Sequence, residues 1–169
     1  MSIFDKLKKI DGDATPSQQM FAFDSLPESL DELLSLEEAS LDSPFGVAAL
    51  CVCALCVYAA DRDIGCEMLN YLRGERKLTN HDISFLNDRF RDGNHIPFSY
   101  FVGANSSNGY TPEHPYRLII KSGPYSDINE GYKKLYIKSS GADNPRELVL
   151  RVENGKWYLH EQYLIVSVK

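Results

Sequence analysis

Apolar residues recur at helical spacing in the first half of the chain and at every second position in the second half. Leu26, Leu30, Leu33 and Leu34 share one helical face, with Asp31, Glu32, Glu37 and Glu38 on the other. That pattern predicts an amphipathic helix over 26–41, capped by Asp24 or Ser25. Ser43-Pro44 marks a second start, because proline suits the first turn and serine accepts an orphan N–H. The sixteen uncharged residues that follow, 45–60, predict a central buried helix. A membrane span needs about 20 residues and a composition richer in Leu and Ile. Asp61 and Asp63 open a third helix that carries Ile64, Met68, Leu69 and Leu72 inward and closes at Gly74. Thr79-Asn80-His81-Asp82 has capping-box spacing, with Asp in place of Glu. It precedes a fourth helix whose stripe is Ile83, Leu86 and Phe90 and which stops at Gly93.

After Gly93 the period falls to two. Residues 98–102 read as a short aromatic strand. Leu118 and Ile120 alternate with Arg117, Ile119 and Lys121; Leu135 and Ile137 with Lys134, Tyr136 and Lys138; Leu148, Leu150 and Val152 with Glu147, Val149 and Arg151. An antiparallel sheet with one buried and one wet face has this signature. Asn154-Gly155 between alternating runs predicts a two-residue type I′ hairpin. The turn sets the register: Glu153 opposite Lys156, Val152 opposite Trp157, Arg151 opposite Tyr158 and Leu150 opposite Leu159. Trp157 then belongs to the core, Arg151 and His160 face outward, and 163–168 supplies a last strand. The expected fold is α+β, with about four N-terminal helices on one face of a C-terminal antiparallel meander of about five strands. A single domain is expected over 1–169, with 1–24 a loosely ordered lead, 25–93 helical and 96–169 the sheet.

Composition excludes more than it identifies. With 169 residues, 43% of them hydrophobic and 25% charged, the chain can bury roughly 70% of its unfolded surface, as one globular domain does. The net charge is −6, which argues against nucleic acid as a partner. The acidic excess lies early, with 3 basic and 10 acidic residues in 1–60 and 15 and 14 in the remainder. Most of it reads as solvated helix faces, the alternative being a surface on 26–41 that docks a basic partner. No targeting signal is apparent, so a cytoplasmic site of action is expected and a membrane is not. Cys51, Cys53 and Cys56 fall inside the apolar helix and Cys66 beyond it. Cys53-Ala54-Leu55-Cys56 has redox-motif spacing but lies mid-helix among apolar neighbours, where a thiol serves as a small hydrophobe. No two histidines share metal-ligand spacing, and no phosphate loop, dinucleotide fingerprint or nucleophile elbow occurs. Neither metal nor cofactor is expected.

Strand direction in a meander brings two polar connections to the end where the Tyr116 strand begins. Residues 103–115 offer Asn105, Tyr110 and His114 beside Tyr116. Residues 139–146 offer Ser139, Ser140, Asp143 and Arg146. These eight residues are the candidate ligand-binding set, with Arg146 able to clamp a carboxylate or phosphate. Against this, Arg146 can simply pair with Asp143, and Asn, Gly and Pro serve turn geometry. The expected function is a non-catalytic module that binds a small anionic ligand or a protein partner, of undetermined oligomeric state. The alternative is a small hydrolase or transferase that uses Ser139 or Ser140, His114 and Arg146.

The segments Ile96-Pro97-Phe98-Ser99-Tyr100-Phe101, Tyr110-Thr111-Pro112, Ser139-Ser140-Gly141-Ala142-Asp143 and Gly155-Lys156-Trp157-Tyr158-Leu159 resemble an uncharacterised domain family of gut-associated Firmicutes, over about 45–169. The resemblance implies a cytoplasmic bacterial protein. It supplies no catalytic residues to carry over.

Overall fold

The computed structural model of the chain describes residues 17–127 and 129–165. Its centre is a helix with almost no polar side, α2 (Pro44–Ala60), in which thirteen of seventeen residues are buried. Ser43 caps it, accepting from the Phe45 N–H, and Pro44 occupies its first turn. A helix apolar all round must be covered on every side. The sheet covers one side, and α3 (Arg62–Arg73), a short turn at Glu37–Ser40 and another at Pro97–Tyr100 cover the rest. Each fully buried leucine here, Leu50 and Leu55 among them, contributes about 1.5–3 kcal/mol.

Local signals set the helix ends. Asp61 caps α3 through the Ile64 N–H and Gly74 closes it. Thr79 and Asp82 form the reciprocal capping box of α4 (Asn80–Phe90). Met68, Leu69 and Leu72 of α3, with Leu86 and Phe90 of α4, point inward as their spacing requires. The acidic segment 26–41 is less regular than its periodicity predicts. It holds one short helix, α1 (Leu30–Leu34), followed by the turn at Glu37–Ser40. Ser35 ends α1 by donating to the Glu32 carbonyl, Leu36 is extended, and Leu41 sits at φ 63°.

Five antiparallel strands run in sequence order, β1 (Gln18–Phe23), β2 (Tyr116–Lys121), β3 (Tyr132–Ile137), β4 (Arg146–Glu153) and β5 (Lys156–Gln162). The fold is α+β: four helices precede a C-terminal run of strands that closes the meander on the Asn-Gly hairpin. The hairpin register is the expected one, with Asn154 at φ 52° and Gly155 at φ 78°.

Several details of the strands and their connections differ from the expectation. The first strand, β1, comes from the N-terminal lead and pairs along the whole of β2, while residues 1–16 lie outside the described residues. Residues 98–102 form no strand, because the stretch after Pro97 coils into a turn that buries Tyr100 and Phe101. Leu164 and Ile165 form a buried turn rather than a strand, and 166–168 lie outside the described residues. A bulge between Val149 and Leu150 sets Val149 opposite Glu161 instead of His160.

Arg151, expected on the wet face, is buried. Its guanidinium donates to the carbonyls of Leu159 and Arg73, pairs with Glu153 at 3.2 Å and lies over the Tyr158 ring. The end of α3 covers that part of the sheet, so a cation there needs its full set of acceptors. Trp157 sits at the margin of the core, with its backbone N–H donating to the Leu41 carbonyl.

Candidate functional site

Both polar connections do reach the end where β2 begins, but residues 97–104 lie between them. β2 pairs with β3 only through Ile120↔Ile137 and Lys121↔Tyr136. Beside the first half of β2, Val102 takes the place of a strand, donating to the Arg117 carbonyl and accepting from the Glu113 N–H. On the other side, Ser99 meets the second connection. Ser99 Oγ lies 2.7 Å from Ser139 Oγ, and the Ser99 carbonyl accepts from the Ser140 N–H. The candidate residues are therefore divided between two recesses, and several are structural.

In the first connection Asn105 and Asn108 cap each other's backbone, and Asn108 also donates to the Gly103 and Thr111 carbonyls. Asn105 is thus committed to shaping its loop. Tyr110, at φ 57°, turns its ring inward against His95, with centroids 4.9 Å apart. His114 and Tyr116 sit together at the head of β2. They border a cavity of about 600 Å³.

The floor of that cavity is apolar: Leu26, Val57, Ile64, Phe98 and Tyr116. Its rim is polar, with Asp24, Glu28, Asp61 and His114. His114 Nε2 bonds the Asp24 carbonyl, and its ring meets Tyr116 edge-on at 5.9 Å. Asp61 is already engaged as the cap of α3, whereas Asp24 and Glu28 have no ion pair among the described residues. Phe98, Asp24 and Leu26 carried no individual sequence signal as site residues. The one sequence hint is Pro27, which disfavours helical geometry at Leu26 before it and so favours a helix start further on, as the Ser29 cap shows.

The second connection opens on a different recess. Ser140 borders a cleft of about 390 Å³ with Ile119, Lys121, Lys138 and residues 99–104. Neither lysine has an ion pair among the described residues. Their outward alternation was visible in sequence, but their meeting depends on the short β2–β3 pairing. Ser139 is fully buried, Asp143 is exposed, and Arg146 reaches the hydroxyl of buried Tyr100. Tyr100 in turn donates to the Leu164 carbonyl, and burial holds its phenol well above the ordinary range. The serine hydroxyls meet Ser99 while His114 meets Asp24, so no Ser–His hydrogen bond forms.

The cysteines show no redox or metal geometry. Cys51, Cys53 and Cys56 are buried free thiols, and burial pushes Cys51 up to about 12 and raises the other two as well. A thiol so suppressed is a poor nucleophile and ligand. Among the described residues, no group of three or more His, Cys, Asp or Glu is placed to hold a metal ion. No helix among them is long and apolar enough to cross a membrane.

A model of a domain of unknown function matches residues 25–169, which takes in everything from the cavity's outer wall to the last strand. The chain belongs to the DUF6935 family. The match begins some way ahead of the segment expected from the sequence resemblance and includes Leu26 and Glu28 of the cavity. No curated protein and no solved structure matches the chain.

Proposed function

We propose that this DUF6935 domain is a non-catalytic binding module that acts in the cytoplasm, and that its ligand seats in the 600 Å³ cavity at the head of β2. The observation that carries the reading is the cavity's construction. Apolar side chains from α2, α3 and the 98 region form the floor, and a few polar groups sit only at the mouth. An apolar floor supplies affinity and a small polar set supplies orientation. Asp24 and Glu28, without ion pairs among the described residues, favour a ligand with an apolar body and a cationic or hydrogen-bond-donating head. The free thiols fit a reducing compartment. Catalysis through Ser139 or Ser140 and His114 is disfavoured because each group is bonded elsewhere.

A second reading, an anionic ligand, is favoured by Lys121 and Lys138 beside Ser140 in the 390 Å³ cleft. A carboxylate or phosphate there would meet two ammonium groups and a hydroxyl.

A thermal-shift screen separates the two readings. Arylalkyl amines should raise the melting temperature by several degrees, since a ligand at a hundred times its Kd adds about 2.7 kcal/mol. Ala60→Trp, which fills the cavity mouth, should abolish that shift. Phosphorylated and carboxylated compounds that stabilise the wild type but not Lys138→Ala would establish the second reading instead. Stabilisation by neither set, or amine shifts unchanged in Ala60→Trp, would defeat the cavity assignment.

A further inference from the structure

Six large apolar side chains are well exposed among the described residues: Met20, Leu34, Phe85, Tyr125, Tyr132 and Tyr163. The three tyrosines are not scattered. All line one groove of about 410 Å³ on the outer face of the sheet, away from both recesses described above. Its floor is the outward row of three neighbouring strands, Lys134 of β3, Glu147 and Val149 of β4 and Glu161 of β5. The turn between β2 and β3 raises one wall. Tyr125, 66% exposed, is held there by a braced backbone. Gly123 donates to Ser126 Oγ at 2.8 Å, and the Lys134 N–H donates to the Ser126 carbonyl at 3.0 Å. Opposite, Tyr132 meets His160 edge-on with centroids 5.1 Å apart.

The polar groups between the rings select the class of ligand. Lys134 pairs with Glu147 at 3.8 Å, and the Tyr163 hydroxyl donates to Glu161 at 2.6 Å. Lys134 offsets Glu147, while the Tyr163 hydroxyl satisfies Glu161 without cancelling its charge, so an anion is repelled and only one carboxylate charge is left over. Burial lowers the pKa of His160, which keeps its ring neutral near pH 7. What is left is a nearly neutral, open groove with aromatic faces and donor–acceptor pairs at the same level. A ligand made of C–H faces bordered by hydroxyls matches this surface, the faces lying on tyrosine rings and the hydroxyls joining the Lys134, Glu147 and Glu161 pairs.

The groove is also longer than one sugar ring. His160, Glu161 and Tyr163 are shared with a second groove of about 370 Å³ between β5 and α4, where Phe85 is another exposed ring. We propose that the outer sheet face binds a neutral saccharide chain, with Tyr125, Tyr132 and Tyr163 as stacking platforms.

Affinity electrophoresis in gels containing starch, mixed-linkage β-glucan, xylan or mannan tests this on the full chain. At least one polysaccharide should retard the protein, and high salt should leave the retardation intact because the ligand carries no charge to be screened. Tyr125→Ala and Tyr132→Ala should each weaken it by about tenfold, the scale of losing one aromatic anchor. Met20→Ala, an exposed residue on β1, should leave it unchanged, as should Ala60→Trp at the separate cavity. Far-ultraviolet circular dichroism of the tyrosine variants confirms that the fold is retained. Migration unaffected by all four gels would overturn the proposal. So would retardation that salt abolishes, which would indicate a charged partner, or retardation that both tyrosine variants preserve.

Discussion

Ser99 Oγ and Ser139 Oγ lie 2.7 Å apart in fully buried surroundings, and this contact ties the 97–104 segment to the connection between β3 and β4. Ser99 Oγ also donates to the Ile96 carbonyl, and Ser139 Oγ accepts from the Gly141 N–H. The pair therefore separates the two recesses and sets which residues line each. Ser139→Ala should cost about 1–2 kcal/mol, the range for leaving buried polar partners unsatisfied. Ser99→Ala with Ser139→Ala should cost less than the sum of the single changes, because the residues share one interaction. Urea unfolding of the three variants measures the coupling, and strict additivity would contradict it.

Arg151 is the most committed cation in the described structure, 3% exposed and bonded to two carbonyls and a carboxylate. Arg151→Leu keeps the volume but strands the Arg73 and Leu159 carbonyls, and should destabilise by about 2–3 kcal/mol. Glu153→Gln should cost under about 1 kcal/mol, since that carboxylate is 42% exposed. Equal losses in chemical denaturation would argue that the ion pair, rather than the carbonyl bonds, holds Arg151 in place.

α2 and α3 approach closely because Gly65 has no side chain. A Cβ there would lie 2.4 Å from Tyr58 Cα, backbone that cannot yield alone. Gly65→Ala should therefore cost about 2–3 kcal/mol through overpacking. Gly155→Ala meets no neighbour but retains φ 78°, so backbone strain alone should cost about 1 kcal/mol. Melting temperatures in that order support the distinction, and the reverse order would refute it.

The buried thiols make alkaline stability predictable. Cys51 is raised from 9.0 to about 12 by burial, and Cys53 and Cys56 are raised too. An acid whose folded pKa exceeds its unfolded value adds stability below the unfolded value. That stability is lost as pH rises, because the unfolded chain releases its protons first. Stability should hold to about pH 9 and then fall by up to about 1.4 kcal/mol per pH unit for each such thiol. In native protein at pH 8 a thiol reagent should modify half-buried Cys66 first and the other three only after denaturation. Rapid reaction of all four without denaturant would show that α2 opens.

Elements governed by neighbours in sequence could be read directly. Ser43-Pro44, Asp61 and the Thr79–Asp82 box each place a side-chain acceptor at orphan N–H groups one turn away. Asn154-Gly155 fixed four cross-strand pairs because a two-residue turn leaves one register. β1 escaped this reading, since its partners lie about a hundred residues away and its own residues alternate weakly. The 98–102 stretch carries a strand's composition, yet α2 offered Tyr100 and Phe101 a better burial than the sheet did.

Sequence alone determined the three helices after Ser43, the hairpin and the end of the sheet toward which both polar connections run, because capping, periodicity and turn chemistry act over a few residues. Tertiary structure alone decided that those connections border separate recesses. It also decided that Asn105, Tyr110, Ser139 and Arg146 brace their own surroundings, and that three tyrosines from distant segments share one groove. Each of those outcomes depends on which segment fills the space beside β2 and which side chain finds a partner across it. That competition is settled by burial and hydrogen bonding among residues far apart in the chain.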